Sequence, residues 1–168
     1  MAVNMSGEVV LAADRERVWA MLNDPEVLKI CIPGCETFEQ DGENAFRAVA
    51  KVKIGPVNAR FKGKVNLTDI DAPNSYRISG EGEGGVAGFA KGGAAVRLEP
   101  TEEGGTRLVY DVEANVGGKI AQLGSRLISS VAKKNADAFF AKFAEAVGGG
   151  TVVPADVDDS GAGASETS

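Results

Sequence analysis

The stretch "AFRAVAKVKIGPVNARFKGKVNL", residues 45 to 67, carries the pattern on which the fold turns. Phe46, Ala48, Ala50, Val52 and Ile54 alternate with Arg47, Lys51 and Lys53. After a turn at Gly55 and Pro56, Ala59, Phe61, Gly63, Val65 and Leu67 alternate with Arg60, Lys62, Lys64 and Asn66. A period of two sends successive side chains to opposite faces of a strand, so both segments have an apolar and a basic face. Joined by a tight turn, they predict an antiparallel hairpin with one dry face and one wet face.

The same period runs from Cys35 to Val116. Beyond a turn at Asp71 to Ser75, Tyr76, Ile78, Gly80, Gly82 and Gly84 alternate with Arg77, Ser79, Glu81 and Glu83. Ala90, Gly92, Ala94, Val96 and Leu98, and then Leu108, Tyr110, Val112, Ala114 and Val116, give two more inward sets. Upstream, residues 4–12 read as β. Asp14 can cap a helix over "RERVWAMLN", and Asp24 followed by Pro25 starts a second over "PEVLKICI", which must end before Pro33. Downstream, Ile120, Leu123, Leu127 and Val131, continued by Ala138, Phe139 and Phe143, predict one helix from Lys119 to Val147, stopped by Gly148 to Gly150. At 1.5 Å per residue it is roughly 40 Å long, enough to cross a sheet. The pattern predicts an α+β fold, a curved seven-stranded antiparallel sheet wrapped around its final helix, with two short helices after the first strand. Residues 1–148 form one domain, and the small, acidic, aperiodic residues 149–168 are expected to be a disordered tail.

The chain has 168 residues, 43% of them apolar, enough for one core. Its 24 acids exceed its 18 bases, and four of those acids fall in the last 18 residues, so the body is nearly balanced and does not suit nucleic acid. Histidine is absent, which removes Ser-His-Asp and Cys-His catalysis and the commonest metal ligand. Two thiols, Cys31 and Cys35, fall short of a zinc or cluster site, and their spacing is not the redox C-x-x-C. They read as reduced and structural, with a regulatory disulfide as the alternative, and no metal is expected. The first residues lack the basic and apolar run of a signal peptide, and no window has the length of a membrane span, so a cytoplasmic protein is expected.

Gly80 to Gly85, "GEGEGG", fits G-x-G-x-x-G, but a dinucleotide site needs that turn to open a helix, and the glycine-rich "VAGFAKGGAAV" that follows cannot form one. Inward glycines instead remove volume. Gly80, Gly82, Gly84, Ala90, Gly92 and Ala94 face the final helix while neighbouring strands offer Phe46, Phe61, Leu67 and Tyr110. Because interiors are filled to crystal-like density, this means either close helix approach or an internal space. A space so walled would be apolar and suited to a hydrophobic ligand. Its expected lining is Trp19, Leu22, Leu28, Ile32, Phe46, Phe61, Gly82, Phe89, Ala94, Tyr110, Ile120, Leu123 and Leu127, with Ile30, Ile32 and the second helix as a movable lip. Glu81, Glu83, Asp111, Glu113, Lys91 and Lys119 are the candidates for acid or base work, yet the four acids alternate outward, so no catalytic residue is assigned. The basic stripe of Arg47, Lys51, Lys53, Arg60, Lys62 and Lys64 is either a solvated face or a docking surface for an acidic partner or anionic headgroups.

Three segments, "VWAMLNDPEVLKICIPGCETFE" (18–39), "GEGEGGVAGFAKGGAAVRLEP" (80–100) and "GGKIAQLGSRLI" (117–128), closely resemble the carbon monoxide dehydrogenase CoxG family of the START-like, polyketide-cyclase-like superfamily. The resemblance covers about residues 4 to 147 and is most specific from Asn23 to Glu36. It implies a helix-grip fold with a hydrophobic cavity between sheet and helix. It also implies an accessory, non-catalytic role beside carbon monoxide dehydrogenase or a related molybdenum hydroxylase, in membrane recruitment or assembly. Many family members end in a hydrophobic or amphipathic anchor; residues 149–168 here are polar and acidic, which implies peripheral rather than anchored membrane contact. Since such an oxidoreductase delivers electrons to a respiratory chain, an isoprenoid quinone or other lipid is the expected guest. A recruitment adaptor with an unused cavity and a cyclase or hydrolase are the alternatives.

Overall fold

The computed structural model describes residues 1–158. The chain runs β1 (Ala2–Leu11), α1 (Arg15–Leu22), α2 (Pro25–Cys31), β2 (Cys35–Gln40), β3 (Ala45–Ile54), β4 (Val57–Asp71), β5 (Ser75–Glu83), β6 (Phe89–Pro100), β7 (Thr106–Gly117), α3 (Ser125–Val147) and β8 (Gly150–Asp158). All strands join one antiparallel sheet in the order β2-β3-β4-β5-β6-β7-β1-β8. The β3–β4 register sets Phe46 opposite Val65, Ala48 opposite Gly63 and Ala50 opposite Phe61, with Arg47 opposite Lys64 and Lys51 opposite Arg60 on the other face. The α+β architecture predicted from alternation, an antiparallel sheet with a long C-terminal helix, is observed, in keeping with the helix-grip fold that the family resemblance implies.

Local chemistry starts both short helices. The Asp14 side chain accepts from Arg17 N at 2.9 Å and that of Asp24 from Glu26 N at 3.0 Å, with Pro25 opening α2. Caps of this kind are worth about 1 kcal/mol each. Thr106 Oγ1, fully buried at the start of β7, donates to Ala13 O at 2.7 Å and ties the sheet to the entrance of α1.

Three expectations are corrected. The single helix from Lys119 is two pieces: a 3-10 turn, Lys119–Leu123, and α3, separated by Gly124 at φ 98°. That break resets the helical phase, so the apolar stripe does not carry through: α3 buries Ile128, Ser129, Phe140, Phe143, Ala144 and Val147, and Ala138 is exposed. The domain does not close at residue 148, with a disordered tail from 149. Gly150–Asp158 forms β8 on the free edge of β1, making the sheet eight-stranded rather than seven-stranded. Pro154 and Ala155 sit where the β1–β8 register shifts opposite Gly7, a bulge that accommodates the missing proline donor. Asp137 of α3 secures it, its Oδ1 accepting from Ala155 N at 2.8 Å and its Oδ2 from Lys133 Nζ at 3.1 Å. The part of the expected tail after Asp158 lies outside the described residues.

The interior consists of two separate apolar clusters. The first joins Val9, Leu11, Val18, Leu22, Cys31, Tyr76, Leu98, Leu108, Tyr110, Phe140, Phe143 and Val147. Its aromatic centre stacks Tyr110 on Phe140 at 4.8 Å and sets Trp19 edge-on to Tyr76 at 5.0 Å. The second joins Val3, Ile54, Ala87, Val116, Ile120 and Ile128, with Phe61, Leu123, Leu127 and Val131 packed against it. It closes the opposite end of the sheet, where the β5–β6 loop, including a 3-10 turn at Gly85–Ala87, lies against the segment after β7. Those loops meet at the backbone: a Cβ on Gly118 would lie 2.5 Å from Gly88 Cα.

Candidate functional site

Between the two clusters the inner face of the sheet is paved with small residues. Register brings Ala48 against Gly63, Gly63 against Gly82, Gly80 against Gly92, Gly92 against Ala114, and Ala94 against Ile78 and Val112. All of these are half-buried rather than buried. A Cβ built on Gly80 would meet only Lys64 O at 3.5 Å and Val65 Cγ2 at 3.8 Å, and one on Gly82 only Lys62 O at 3.5 Å and Gly63 Cα at 3.8 Å. Every one of those atoms belongs to β4, so no atom of α3 comes within 4 Å of either position. The glycines are therefore not explained by a helix pressed against them. Gly92 differs: a Cβ there would run into Glu113 O and lie 2.7 Å from Ala114 Cα, so its absence permits the close approach of β7.

On the helix side, Ser129, Ala136 and Phe143 recur every seven residues and so share the buried side of α3, with Ala136 and Phe143 packed in the first cluster. Ser129 is 5% exposed, and its Oγ is buried without a hydrogen-bond partner. Tyr110, in the first cluster, has its phenol pushed up to about 12 by burial and by the Asp137 carboxylate. Tyr76 is raised further by burial alone.

The residues expected to line one cavity are divided by this arrangement. Trp19, Leu22 and Tyr110 belong to the first cluster, and Phe61, Ile120, Leu123 and Leu127 to the second. Gly82 and Ala94 lie on the floor between, and Phe46 is buried at the β2 side, its ring 5.3 Å from that of Phe38. Leu28 and Ile32 are half-buried at the end of α2, beside Ile30, which is 69% exposed. Phe89 is a correction: it is 50% exposed and pairs with Glu83 and Gly117, which sets it on the outer face. Alternation from Ala90 places it there too, and only its size suggests the interior. Ser129 and Asp137 are not marked by the periodicity; the signal for Ser129 is a hydroxyl falling seven residues before Ala136 and fourteen before Phe143.

The concavities delineated among the described residues open on other surfaces. An open groove of about 860 Å³ crosses the outer face, bordered by Arg47, Arg60, Lys62, Lys64, Lys91 and Phe89 and by Glu39, Glu81 and Glu83. Register sets Lys62 opposite Glu83 and Lys64 opposite Glu81. Arg60 makes a two-pronged pair with Glu36, at 2.7 and 3.1 Å, which lowers the Glu36 carboxyl below its ordinary range, and Arg47 lies 3.5 Å from Asp41. Lys51, Lys53, Lys62 and Lys64 are exposed, with no carboxylate within 4.0 Å among the described residues. Glu81, Glu83, Asp111 and Glu113 all lie on this outer face, and Arg77 pairs with Glu113 at 3.1 Å.

Cys31 is buried at the end of α2 and Cys35 opens β2, both as free thiols. Burial raises both, and Cys35 Sγ donates to Thr37 O at 3.2 Å, which favours the inert structural reading. Pro33 and Gly34, at φ 74°, turn the chain between them. Among the described residues no group of three or more His, Cys, Asp or Glu could hold a metal ion, and no helix is long and apolar enough to cross a membrane.

No curated protein matches the chain. Among solved structures, a conserved protein from Geobacillus kaustophilus is similar at 35% identity and TM-score 0.78, over 88% of this chain and 95% of that one. A START superfamily protein from Mycobacterium smegmatis (16% identity, TM-score 0.63, 86% and 97% covered) and the ZhuI aromatase/cyclase from Streptomyces sp. R1128 (13%, 0.64, 88% and 94%) share the fold. The family profile of CoxG, the G-subunit family of carbon monoxide dehydrogenase, matches residues 7–148, which spans both clusters, the glycine floor and all of α3. On that match the chain belongs to the CoxG family, with a START-like fold.

Proposed function

We propose that the chain is a non-enzymatic carrier that holds a lipophilic small molecule between α3 and the glycine-alanine floor, as an accessory to carbon monoxide dehydrogenase or a related molybdenum hydroxylase. One observation carries the reading: Gly80 and Gly82 have no helix atom within 4 Å, although apolar clusters pack α3 against the sheet on either side of them. Walls of Gly, Ala, Val and Phe favour an apolar guest, and an isoprenoid quinone or other lipid is the one suited to an enzyme that feeds a membrane chain. Burying each CH₂ contributes about 0.8 kcal/mol, so part of an isoprenoid tail supplies micromolar affinity after association costs. Such a carrier works in the cytoplasm with peripheral contact at the membrane's inner face.

The test is organic extraction and native mass spectrometry of the purified chain. Stoichiometric neutral lipid is expected, and it should be lost in Gly82→Phe and Ala94→Phe while circular dichroism stays native. A chain that is empty, and that takes up no added lipophile yet still binds the enzyme, would instead favour a recruitment adaptor. The observation on that side is the row of Lys51, Lys53, Lys62 and Lys64 without carboxylate partners among the described residues. The aromatase/cyclase neighbour shares only the fold, and Glu81, Glu83, Asp111 and Glu113 lie away from the interior, so those four acids give a cyclase reading nothing to build on.

A further inference from the structure

The loops at the two ends of the sheet carry opposite charge. The turns β2–β3, β4–β5 and β6–β7 hold or adjoin Asp41, Glu43, Asp69, Asp71, Glu102 and Glu103, all exposed, and contain no Lys or Arg. At the other end, the β5–β6 loop and the segment from β7 to the first turn of α3 contain no carboxylate, and Lys119 and Arg126 are exposed there. Two contacts gather these loops. Gly88 rests on Gly118, next to Lys119. In the β3–β4 turn, two residues after the exposed Lys53, a Cβ on Gly55 would lie 2.9 Å from Leu127 Cδ2, beside Arg126. None of Lys53, Lys119 and Arg126 has a carboxylate within 4.0 Å among the described residues. Of the acids nearest this end, Glu83 is matched by Lys62 opposite it, and Asp156 and Asp158 belong to β8, three strands beyond β6.

An apolar tip projects from the same end. Val86 is 91% exposed, more than any other large hydrophobic side chain among the described residues, and Phe89 is 50% exposed. A lone exposed valine means little. Here the backbone enforces the exposure: Ala87 is buried in the second cluster, Gly84 N donates to Gly88 O at 2.8 Å across the loop, and Gly85 and Gly88 take φ of 62° and 120°. With Ala87 anchored inward, Val86 on the same 3-10 turn is carried outward.

We infer that this end docks on a bilayer with anionic headgroups: Val86, flanked by Phe89, enters the interfacial layer while Lys53, Lys119 and Arg126 meet the headgroups. A single protruding valine is too little for a stable protein interface, which buries about 800 Å² per partner, whereas a shallow apolar insertion combined with a few cations suffices for reversible lipid binding. The chain carries a net charge of −6, so an anionic surface repels it unless the cation-bearing end leads, and the polarity of the two ends sets the orientation. The inference rests on the peripheral membrane contact of the carrier reading and gives that contact a surface.

The test is co-sedimentation of the full chain with vesicles of phosphatidylcholine alone and of phosphatidylcholine with about a third phosphatidylglycerol, at low and high salt. Binding is expected only to the anionic vesicles and should fall as salt rises. Val86→Asp should weaken it roughly tenfold and Lys119→Gln about fivefold, with circular dichroism native in both. In Val86→Trp, the emission added to that of Trp19 should move to shorter wavelength when anionic vesicles are present. If Val86→Asp binds these vesicles as well as the parent and the added tryptophan does not shift, this end is not the docking surface, and peripheral contact through another face survives. If the parent binds neither vesicle, membrane docking is overturned, while lipid co-purifying with the chain would still uphold the guest-holding part of the carrier reading. Indifference to vesicles together with loss of enzyme binding in Val86→Asp would reassign this end to a protein partner and overturn the inference as well.

Discussion

The two stretches of α3 meet the same sheet in opposite ways. Toward its C-terminus the helix joins Phe140 and Phe143 to Tyr110, Leu108 and Leu98, with Tyr110 stacked on Phe140 at 4.8 Å and Phe139 set 4.9 and 5.9 Å from Phe140 and Phe143 within the helix. Nearer its start it buries Ile128 and Ser129, yet no atom of it comes within 4 Å of a Cβ placed on Gly80 or Gly82. The first half rests on aromatic contacts, whereas the helix does not touch the glycine positions, though the backbone scaffold is continuous. On the proposed carrier reading, stability and guest-holding rest on different residues, and substitutions should separate them.

The largest effect is expected in the aromatic half. Phe143, 0% exposed, is the largest fully buried side chain, and Phe143→Ala should cost about 3–5 kcal/mol in chemical denaturation. A loss below 1 kcal/mol would mean that this half is loosely packed too, and the contrast would vanish. Next is alkaline pH, since Tyr76 and Tyr110 both belong to the aromatic half. Their phenols titrate higher folded than unfolded, so the stability they contribute is complete below about pH 10 and is lost as pH rises toward and through about 12 for Tyr110. The loss should approach about 1.4 kcal/mol per pH unit for each tyrosine across that window. Tyr110→Phe should flatten the decline, while a curve unchanged by the substitution would contradict the packing described for this ring. The smallest effect distinguishes two glycines. Gly92→Ala, which collides with the β7 backbone, should cost about 1–3 kcal/mol, whereas Gly82→Ala, with nothing nearer than 3.5 Å, should stay within about 0.5 kcal/mol of the parent. Equal costs would show that both positions serve strand approach and that neither borders open space.

Much of this is legible in the residues, and the failures have physical causes. Alternation from Phe46 to Val116 identifies the strands and their inner faces, because a period of two survives any sheet curvature. Helical phase does not survive Gly124, whose φ of 98° rotates everything after it relative to Ile120 and Leu123. That is why the stripe counted from Ile120 sets Ala138 inward and leaves Ser129 unmarked. β8 is hidden because Pro154, Asp156 and Asp158 outweigh Val152, Val153 and Val157 in local propensity. Its pairing depends instead on β1, far away in sequence, and on the carboxylate of Asp137. Phe89 misleads through hydrophobicity where register is the better guide. Two glycines one strand apart, Gly82 and Gly92, look alike in the sequence, since only coordinates reveal what stands opposite each.

The abutment of Gly88 and Gly118 also bears on how the grip could widen. With main chain resting directly on main chain, and with Ala87 and Ile120 rooted in the same cluster, neither loop can swing aside while the other stays put. Admission at this end of the sheet would behave as one concerted latch, its rate set by a shared barrier, and a bulkier residue at either glycine would wedge both loops at once.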